Sequence, residues 1–354
     1  TTLLINNEII VQEGAFSYNK NLKDVNIKVK NELGNYAFYE NTQLERAIIK
    51  TNIIGEYAFA GCTKLDDIIL TDVTTISSGS FLDCTSLAEL NIANVTEIGD
   101  FAFINCPLLS VIVMNNVVSI GAYAFSQVDE QSANKISTLV LPDTLTHIGE
   151  YAFANSTYLT NVTIGSGIKE IGKFAFSNCI NLESVTISGS LETIKEGTFQ
   201  DNEKLNELNV KGVKYIEGAA FINCYLLEEF DFSGVIEVGV QAFENCTSLT
   251  KADMPNVIKL DSGAFLGCTL LEEVSMPKVE SIGYQALSNI GTVNIKLSNT
   301  IKYIAPTAFN YNQKQETFTD ISGNDTCVLN DYITLDGGVI YTRTANDKLV
   351  LNTY

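Results

Sequence analysis

The amino-acid sequence predicts a mostly β fold: a right-handed, curved solenoid of about 14 coils of 22–23 residues with a parallel sheet on its concave side, followed by a short C-terminal β-hairpin. Three observations predict this fold. A small residue followed by a large apolar one recurs at a nearly constant interval, further apolar residues keep a fixed spacing after each such pair, and the last stretch of the chain loses this period.

The large apolar residue of each copy marks one position of the repeat, which we call the core Phe position. The residue before it is Ala, Ser or Thr in every copy, and successive copies are 22 residues apart except for one step of 21, two of 23 and one of 28. Such regularity indicates one supersecondary unit repeated along the chain. The position is occupied by Phe16, Phe38, Phe59, Phe81, Phe103, Phe125, Phe153, Phe176, Phe199, Phe221, Phe243, Phe265, Leu287 and Phe309.

Within a copy the apolar positions predict one strand and one turn. Counting from Phe59, apolar residues stand at +6, +9 and +11, as Leu65, Ile68 and Leu70. The piece from +8 to +12 alternates in polarity, which is typical of a short strand. The "IGEYAF" piece is too short for an ordinary helix and predicts a tight turn. Since one coil cannot bury its own apolar face, coils must stack, each adding a strand about 4.7–4.9 Å from the last.

Two segments depart from the repeat. The insertion "SQVDEQSANK" (126–135) is predicted to bulge as an exposed loop. The tail 334–354 reads as two strands, "GGVIYTR" and "KLVLNTY", around the turn "TAND". We therefore divide the chain into a repeat domain, 1–320, and a non-repeat hairpin segment, 321–354, which we expect to lead into a longer protein. The opening "TTLLINNEII" has neither an initiator Met nor a signal segment, so we expect a processed or trimmed chain.

Composition excludes several classes of partner. Acidic residues number 42 against 22 basic ones, which gives a net charge of −20 and a surface that repels nucleic acids and anionic lipids. No apolar run approaches the roughly 18 residues of a membrane span, so we expect no membrane insertion of this segment. Hydrophobic residues make up 45% of the chain, which is ample for a core.

The pattern L-x-x-[LIV]-x-[LI] supports a more specific interpretation. The segments "IGEYAFAGCTKL", "IGKFAFSNCINLESVTI" and "LPDTLTHIGEYAFANSTYLTNVTI" resemble the BspA-type (Treponema pallidum-type) leucine-rich repeats. The resemblance implies an α/β-type leucine-rich repeat solenoid with the strands on the concave side. It also implies a cell-surface or secreted, adhesin-like protein whose partners are host extracellular proteins, matrix proteins among them, or surface proteins of other cells.

The position three residues after the core Phe, which we call the +3 ladder, raises the question of a cysteine site. A zinc site is disfavoured because Asn shares the row and stacked thiols cannot converge tetrahedrally. Disulfides fit the expected Cα spacing but not the parallel Cβ directions, which leaves them a minor alternative. We expect a structural row that pairs with backbone groups of the turn, while Cys327, outside the row, stays open. The row holds Asn19, Asn41, Cys62, Cys84, Cys106, Cys179, Asn202, Cys224, Cys246, Cys268 and Asn312.

No catalytic motif is recognisable in the sequence. His147 is the single histidine and is expected on the surface of a coil flank, away from the thiols. Adjacent carboxylates such as Glu228 and Glu229 could in principle serve hydrolysis, but polar strand positions explain them as well. We therefore expect no enzyme, no catalytic residues, no cofactor and no metal ion.

Binding is expected through the strand residues at +8 and +10, which face outward. This surface is either simply solvated or a contact for a cationic or polar protein. Two other functions stay open: a non-adhesive structural scaffold or spacer for further domains, and an intracellular ligand sensor. The candidate binding residues on the concave face are Asp67, Glu89, Glu207, Glu229, Asp231, Lys251, Asp253 and Glu273.

Overall fold

The computed structural model describes residues 1–127, 134–291, 301–305 and 307–309, and the backbone of the strands at 294–297, 317–319, 340–343 and 349–352. These residues form strands and turns without a helix, so none of them belongs to a helix that could cross a membrane. The chain is a parallel-sheet β-solenoid of about 13 turns, which confirms the predicted solenoid. Residues 128–133 of the insertion lie outside the described residues, so its predicted loop is not assessed.

The chain divides into two compact units, Thr1–Gly189 (unit 1) and Ser190–Tyr354 (unit 2). In both units a typical coil contributes one longer strand from the +8 region and one two-residue strand just before the turn. The strands that begin in unit 1 are β1 (Thr2–Val11), β2 (Asp24–Leu33), β3 (Arg46–Lys50), β4 (Ile53–Ile54), β5 (Asp67–Thr71), β6 (Thr75–Ile76), β7 (Glu89–Asn91), β8 (Glu97–Ile98), β9 (Val111–Val113), β10 (Ser119–Ile120), β11 (Thr138–Leu141), β12 (His147–Ile148), β13 (Asn161–Ile164), β14 (Glu170–Ile171) and β15 (Ser184–Ser190).

Strand pairing in unit 1 is parallel throughout the described residues and follows the repeat. The two-residue strands form the ladder β4-β6-β8-β10-β12-β14, which β2 joins at one end. The longer strands pair as β1-β2-β3-β5, β7-β9 and β11-β13-β15. Equivalent residues of successive coils are partners, as in Ile76↔Ile98 and Val162↔Val185, so each side chain repeats the direction of its counterpart one coil away.

Unit 2 follows the same plan. Its two-residue strands form the ladder β16-β18-β19-β21-β23-β25, and its longer strands include the parallel set β20-β22-β24-β26. The final two strands pair antiparallel, in agreement with the predicted hairpin. The strands are β16 (Thr193–Ile194), β17 (Glu207–Lys211), β18 (Tyr215–Ile216), β19 (Glu237–Val238), β20 (Lys251–Asp253), β21 (Lys259–Leu260), β22 (Glu273–Met276), β23 (Ser281–Ile282), β24 (Asn294–Leu297), β25 (Tyr303–Ile304), β26 (Thr317–Thr319), β27 (Ile340–Arg343) and β28 (Leu349–Asn352).

The core of each unit is a column of stacked Phe rings. The rings of Phe59 and Phe81 lie 5.4 Å apart with an interplanar angle of 4°, and those of Phe243 and Phe265 lie 5.2 Å apart at 5°. These four side chains are fully buried. Offset stacking of this kind is favourable for aromatic rings beyond the burial of their area, so the core Phe position predicted from the sequence is the spine of the fold.

One coil lacks the strand that its spacing predicts. Residues 229–232 belong to no strand, although they occupy the +8 to +11 positions after Phe221. This coil carries a Phe at both +9 and +11: Phe230 and Phe232 pack against Phe243 at centroid distances of 5.3 and 5.2 Å. The missing strand thus coincides with a pair of rings that together fill more volume than the side chains at these two positions in other coils.

Candidate functional site

The cysteines of the +3 ladder are buried and point into the turn. All seven of these thiols are free, and each donates to the carbonyl oxygen of the core Phe one coil earlier, at Sγ–O distances of 3.1–3.3 Å. Cys62, for example, bonds to Phe38 O at 3.2 Å. Each thiol thereby supplies a partner to a carbonyl that faces the core, although S–H is a weak donor.

Two asparagines of the ladder also bond to a core Phe carbonyl. Asn41 Nδ2 donates to Phe16 O at 2.9 Å, and Asn19, in the first coil, donates to the same oxygen at 2.8 Å. Asn202 is fully buried. Asn312 and Cys327 lie outside the described residues. The coil with the insertion supplies a further asparagine to this row: Asn134 Nδ2 donates to Phe125 O at 3.2 Å. Because of the insertion, this residue does not stand at +3 in the sequence.

Burial makes the ladder thiols chemically inert. Loss of solvation raises the pKa of Cys62, Cys106 and Cys179 to about 12, and it raises the pKa of the other four ladder thiols as well. The nucleophilic and metal-binding form of cysteine is the thiolate, which these surroundings suppress. A functional site must therefore be sought on the surface.

The predicted charged residues are exposed but unevenly distributed. Asp67 and Glu89 begin β5 and β7 in unit 1, whereas the other six lie in unit 2. Lys251 and Glu273 face each other on β20 and β22 at 3.4 Å. The remaining residues stand as single exposed charges along the coils, Glu207 and Asp253 on strands and Glu229 and Asp231 on the coil without a strand.

Asp231 is held by its own coil. Its Oδ1 accepts the backbone N–H of Ser233 at 2.9 Å. Hydrogen bonds from the side chain and backbone of Ser233 lower the pKa of Asp231. The prediction that this carboxylate and Glu229 project from a strand is wrong, because residues 229–232, where the rings of Phe230 and Phe232 pack against each other, belong to no strand.

The same strand positions in unit 1 carry exposed apolar side chains that a search for charges overlooks. Val111 and Val113 on β9 are 48% and 38% exposed, and Val140 on β11 is 64% exposed. We call these three residues the apolar strip. The signal for Val111 and Val113 is present in the sequence, at +8 and +10 after Phe103, whereas the insertion hides the register of Val140.

Val140 of the apolar strip belongs to a larger uncharged surface, whereas Val111 lies opposite Glu89 of β7. The outward-facing residues of β11, β13 and β15 include Thr138, Thr163 and Thr186, together with Asn161 and Ser184. Asn161 Nδ2 donates to Ser184 Oγ at 2.8 Å, so these polar groups partly satisfy one another. An uncharged, β-branched sheet surface is unusual in so acidic a chain, and it costs little to desolvate.

No catalytic or metal-binding arrangement is found among the described residues. They contain no group of three or more His, Cys, Asp or Glu side chains that could hold a metal ion. His147 is exposed on β12, where its Nδ1 lies 2.8 Å from Thr146 Oγ1 and its Nε2 lies 3.9 Å from a carboxylate oxygen of Glu170. None of these groups is placed to activate a nucleophile.

Comparison with known proteins shows the family to which the repeats belong. A family model described as the BspA type leucine rich repeat region, with six copies, matches residues 9–131, 130–250 and 236–326. A comparison with curated proteins finds no significant match.

Several solved structures are similar to this chain. A leucine-rich cell surface protein from Faecalibacterium prausnitzii is 24% identical, with 86% of this chain and 83% of that protein covered at a TM-score of 0.43. A leucine-rich repeat protein from Bacteroides ovatus is 22% identical, with coverages of 82% and 87% and a TM-score of 0.41. The leucine-rich repeat protein of T. pallidum is 24% identical, with coverages of 63% and 84% and a TM-score of 0.31.

Proposed function

Because this chain belongs to the BspA-type leucine-rich repeat family, we propose that it is a non-enzymatic protein-binding module of a cell surface, and that the apolar strip of unit 1 is its principal contact. The observation that carries this proposal is the exposure of Val111 and Val113 on one face of β9 and of Val140 on β11, a strand of the following coil that belongs to a separate sheet. Isolated exposed apolar residues are ordinary, but adjacent ones on regular strands are typical of interfaces.

Rigidity favours binding through this surface. β9 pairs with β7 in register, with Val113 opposite Asn91, and β11 pairs with β13 along four residues. Valine has few rotamers on a strand, so little side-chain entropy is lost when a partner covers it. Burying the apolar strip should therefore contribute most of its transfer free energy to affinity.

The exposed charged residues at +8 and +10 in unit 2 have a different role in this proposal. Glu207, Glu229, Asp231, Asp253 and Glu273 outnumber Lys251, so this surface attracts basic partners. Exposed charges of this kind accelerate encounter and choose partners more than they raise affinity. We assign them to steering, with binding that weakens as salt rises.

At its finest level, the proposal is a cell-surface or secreted adhesin-like protein that binds host extracellular proteins or surface proteins of other cells. Its support is the family membership together with an acidic surface that disfavours nucleic acids and lipids. The experiment is a binding screen of the full chain against extracellular matrix proteins and intact cells, with bound ligand identified by mass spectrometry.

Paired variants test which surface binds the ligand that the screen identifies. Val113→Lys with Val140→Lys should lower affinity at least tenfold, because two charges would be buried without partners. Glu229→Lys with Asp231→Lys and Glu273→Lys should mainly slow association and weaken its salt dependence. An unchanged affinity for the valine pair would remove the apolar strip from the proposal, and a chain that binds nothing in the screen would favour a spacer instead.

A further inference from the structure

The strand surface of unit 2 is interrupted next to β17. β17 and β20 belong to different sheets, and residues 229–232, which lie on the coil between them, belong to no strand. In the described part of the chain no backbone hydrogen bond joins β17 to residues 229–232. We call the gap between β17 (Glu207–Lys211) and residues 229–232 the seam.

The two coils on either side of the seam stay joined elsewhere. Their two-residue strands, β18 and β19, pair in register, with Ile216 opposite Val238. In the turn, the backbone N–H of Asp201 donates to Ile222 O at 2.8 Å. The seam is therefore a local opening on the strand side of two coils that are otherwise stacked like the rest.

Inward side chains along the seam are only partly covered. Leu208 and Val210 of β17 and the ring of Phe230 are half-buried. The equivalent inward residues of β20, Ala252 and Met254, are fully buried. Apolar groups that the neighbouring coil leaves in water still have transfer free energy to gain, so a partner that covers them is stabilised by their burial.

The backbone edge of β17 at the seam has no strand partner among the described residues. Lys211, an outward residue of β17, directs its carbonyl oxygen to the preceding coil, where it accepts the N–H of Leu191 at 3.0 Å. Because this direction alternates along a strand, the N–H and C=O groups of Leu208 and Val210 point into the seam. An edge of this kind is a template for pairing with another strand.

The charges around the seam favour a basic partner. Four carboxylates stand there against one ammonium group, while β20 and the turn before β17 each add one charge of either sign. The local excess of negative charge attracts lysine and arginine side chains and repels acidic segments. The charged residues at the seam are all exposed: Glu207, Lys211, Glu228, Glu229 and Asp231.

We propose that the seam binds an extended, basic segment of a partner protein as an added β-strand. The backbone of the segment pairs with the N–H and C=O groups of Leu208 and Val210, and its apolar side chains cover these two residues and Phe230. A helix would leave the edge of β17 unpaired. The irregular backbone at 229–232 forms no ladder that an incoming strand must break. The seam shares no residue with the apolar strip of unit 1, so the two surfaces can be tested separately.

A labelled peptide, Lys-Val-Lys-Val-Lys-Val-Lys, tests the proposal with the full chain, by fluorescence polarisation at one fixed salt concentration. Two further peptides of the same sequence and charge carry backbone N-methyl groups, one on its valines and the other on the lysines that follow them. The N–H groups of alternate residues point to opposite sides of a strand, so only one methylated peptide should lose binding, by about tenfold or more.

The peptide that loses binding also gives the direction of the added strand. With valines on the inward side, loss on methylation of the valines means antiparallel pairing with β17, and loss on methylation of the lysines means parallel pairing. Equal binding of all three peptides, equal loss by both methylated peptides, or no measurable binding of any would each overturn the proposal.

A pair of variants on β17 locates the contact. Val210→Asp should weaken binding of the unmethylated peptide about tenfold, because it places a carboxylate among the apolar side chains that the peptide covers. The matched control, Asn209→Asp, adds the same charge to the outward side of the same strand and should not weaken binding. An equal loss in both variants, or full affinity of a folded Val210→Asp variant, would overturn the proposal.

Amide hydrogen exchange followed by NMR on the parent chain needs no variant, so it tests the seam even where Val210→Asp fails to fold. The unmethylated peptide should slow exchange of the amides of Leu208 and Val210, which point into the seam. Protection confined to β9 and β11 would assign the peptide to the apolar strip and overturn the proposal.

Discussion

Units 1 and 2 repeat one backbone but present different surfaces. The residue two positions before each core Phe, which we call the turn row, has a left-handed φ of 53–63° in unit 1, where Tyr36, Tyr57, Phe101, Tyr123, Tyr151 and Phe174 are aromatic. The turn row of unit 2 keeps this conformation, at values from 54° to 66°, yet none of its members is aromatic. They are Gly197, Ala219, Gln241, Gly263, Gln285 and Thr307. The conformation of the turn is thus set by the repeat, while the side chain at that position is free to vary, so the aromatic run of unit 1 is a property of its surface.

The strand positions differ within unit 1 as well. The outward residues of β9, β11 and β13 carry no charge, whereas β3, β5 and β7 of unit 1 and β17, β20 and β22 of unit 2 carry charges at their outward positions. Inward positions are apolar in both units. Side chains on a strand alternate between the two faces of the sheet. The inward ones can therefore hold the coils together while the outward ones are left for contacts.

The largest expected effect is a loss of folding stability at alkaline pH, caused by the buried ladder thiols that both units contain. Because the pKa of these thiols is raised, the folded chain keeps the thiol protons at a pH where the unfolded chain, with a thiol pKa near 9, has lost them. Stability is therefore present below about pH 9 and falls as pH rises towards 12, by up to about 1.4 kcal/mol per pH unit for each thiol. Urea midpoints measured from pH 7 to 11 check this.

A variant with Cys→Ala at all four ladder cysteines of unit 1 provides the control, since unit 2 keeps Cys224, Cys246 and Cys268. The variant should lose part of the alkaline sensitivity, with unit 2 unfolding first as the pH rises. An alkaline profile identical to that of the parent chain would show that lysine or tyrosine titration dominates.

Substitutions in the Phe column should lower the free energy of unfolding in both units, with a smaller difference between the units. Phe103 stacks on Phe81 and Phe125, whereas Phe243 contacts Phe221, Phe230, Phe232 and Phe265 within 5.3 Å. Phe103→Ala should cost about 3–5 kcal/mol and Phe243→Ala at least as much, because more rings lose a partner. Chemical denaturation measures both. A near-neutral result for Phe103→Ala would contradict the assignment of the Phe column to the core.

The turn row should give the smallest effect and opposite signs in the two units. Gln241→Gly should stabilise unit 2 by up to about 1 kcal/mol, because glycine relieves the left-handed backbone. Tyr123→Gly gains the same relief but loses stacking on Phe101 and Tyr151, so it should be neutral or destabilising. Thermal melts of the two variants decide, and equal gains would mean that the stack contributes no stability.

Much of the fold could be predicted because each copy repeats the same physical demand. The spacing of Phe59, Cys62 and Leu65 recurs along the chain, and the apolar face that these residues form in every coil is buried when the coils stack. The missing strand at 229–232 escaped prediction because Phe230 and Phe232 fit the apolar pattern and violate only its volume. A pattern of polarity carries no information on how much space a coil can give.

The candidate surfaces were predicted less completely. In "FAF" the residues Phe101 and Phe103 are chemically identical, yet the first lies in an exposed stack and the second in the core. The sequence pattern predicts charged contacts such as Asp67 and Glu273, whereas the exposure of Val111 and Val140 depends on the coils that lie beside them. Exposure is a property of the whole stack of coils, so it cannot be read from one repeat.

The sequence by itself determined the repeat, its core Phe position, the +3 ladder and the acidic balance of the chain, because these follow from residue identity and period. Only the tertiary structure decided which groups meet across coils, in the thiol-to-carbonyl hydrogen bonds and the external ring stack, and which stay exposed, as in the apolar strip. The physical reason is that these hydrogen bonds and ring contacts join residues 20 or more positions apart, and that the exposure of a side chain depends on the neighbouring coils.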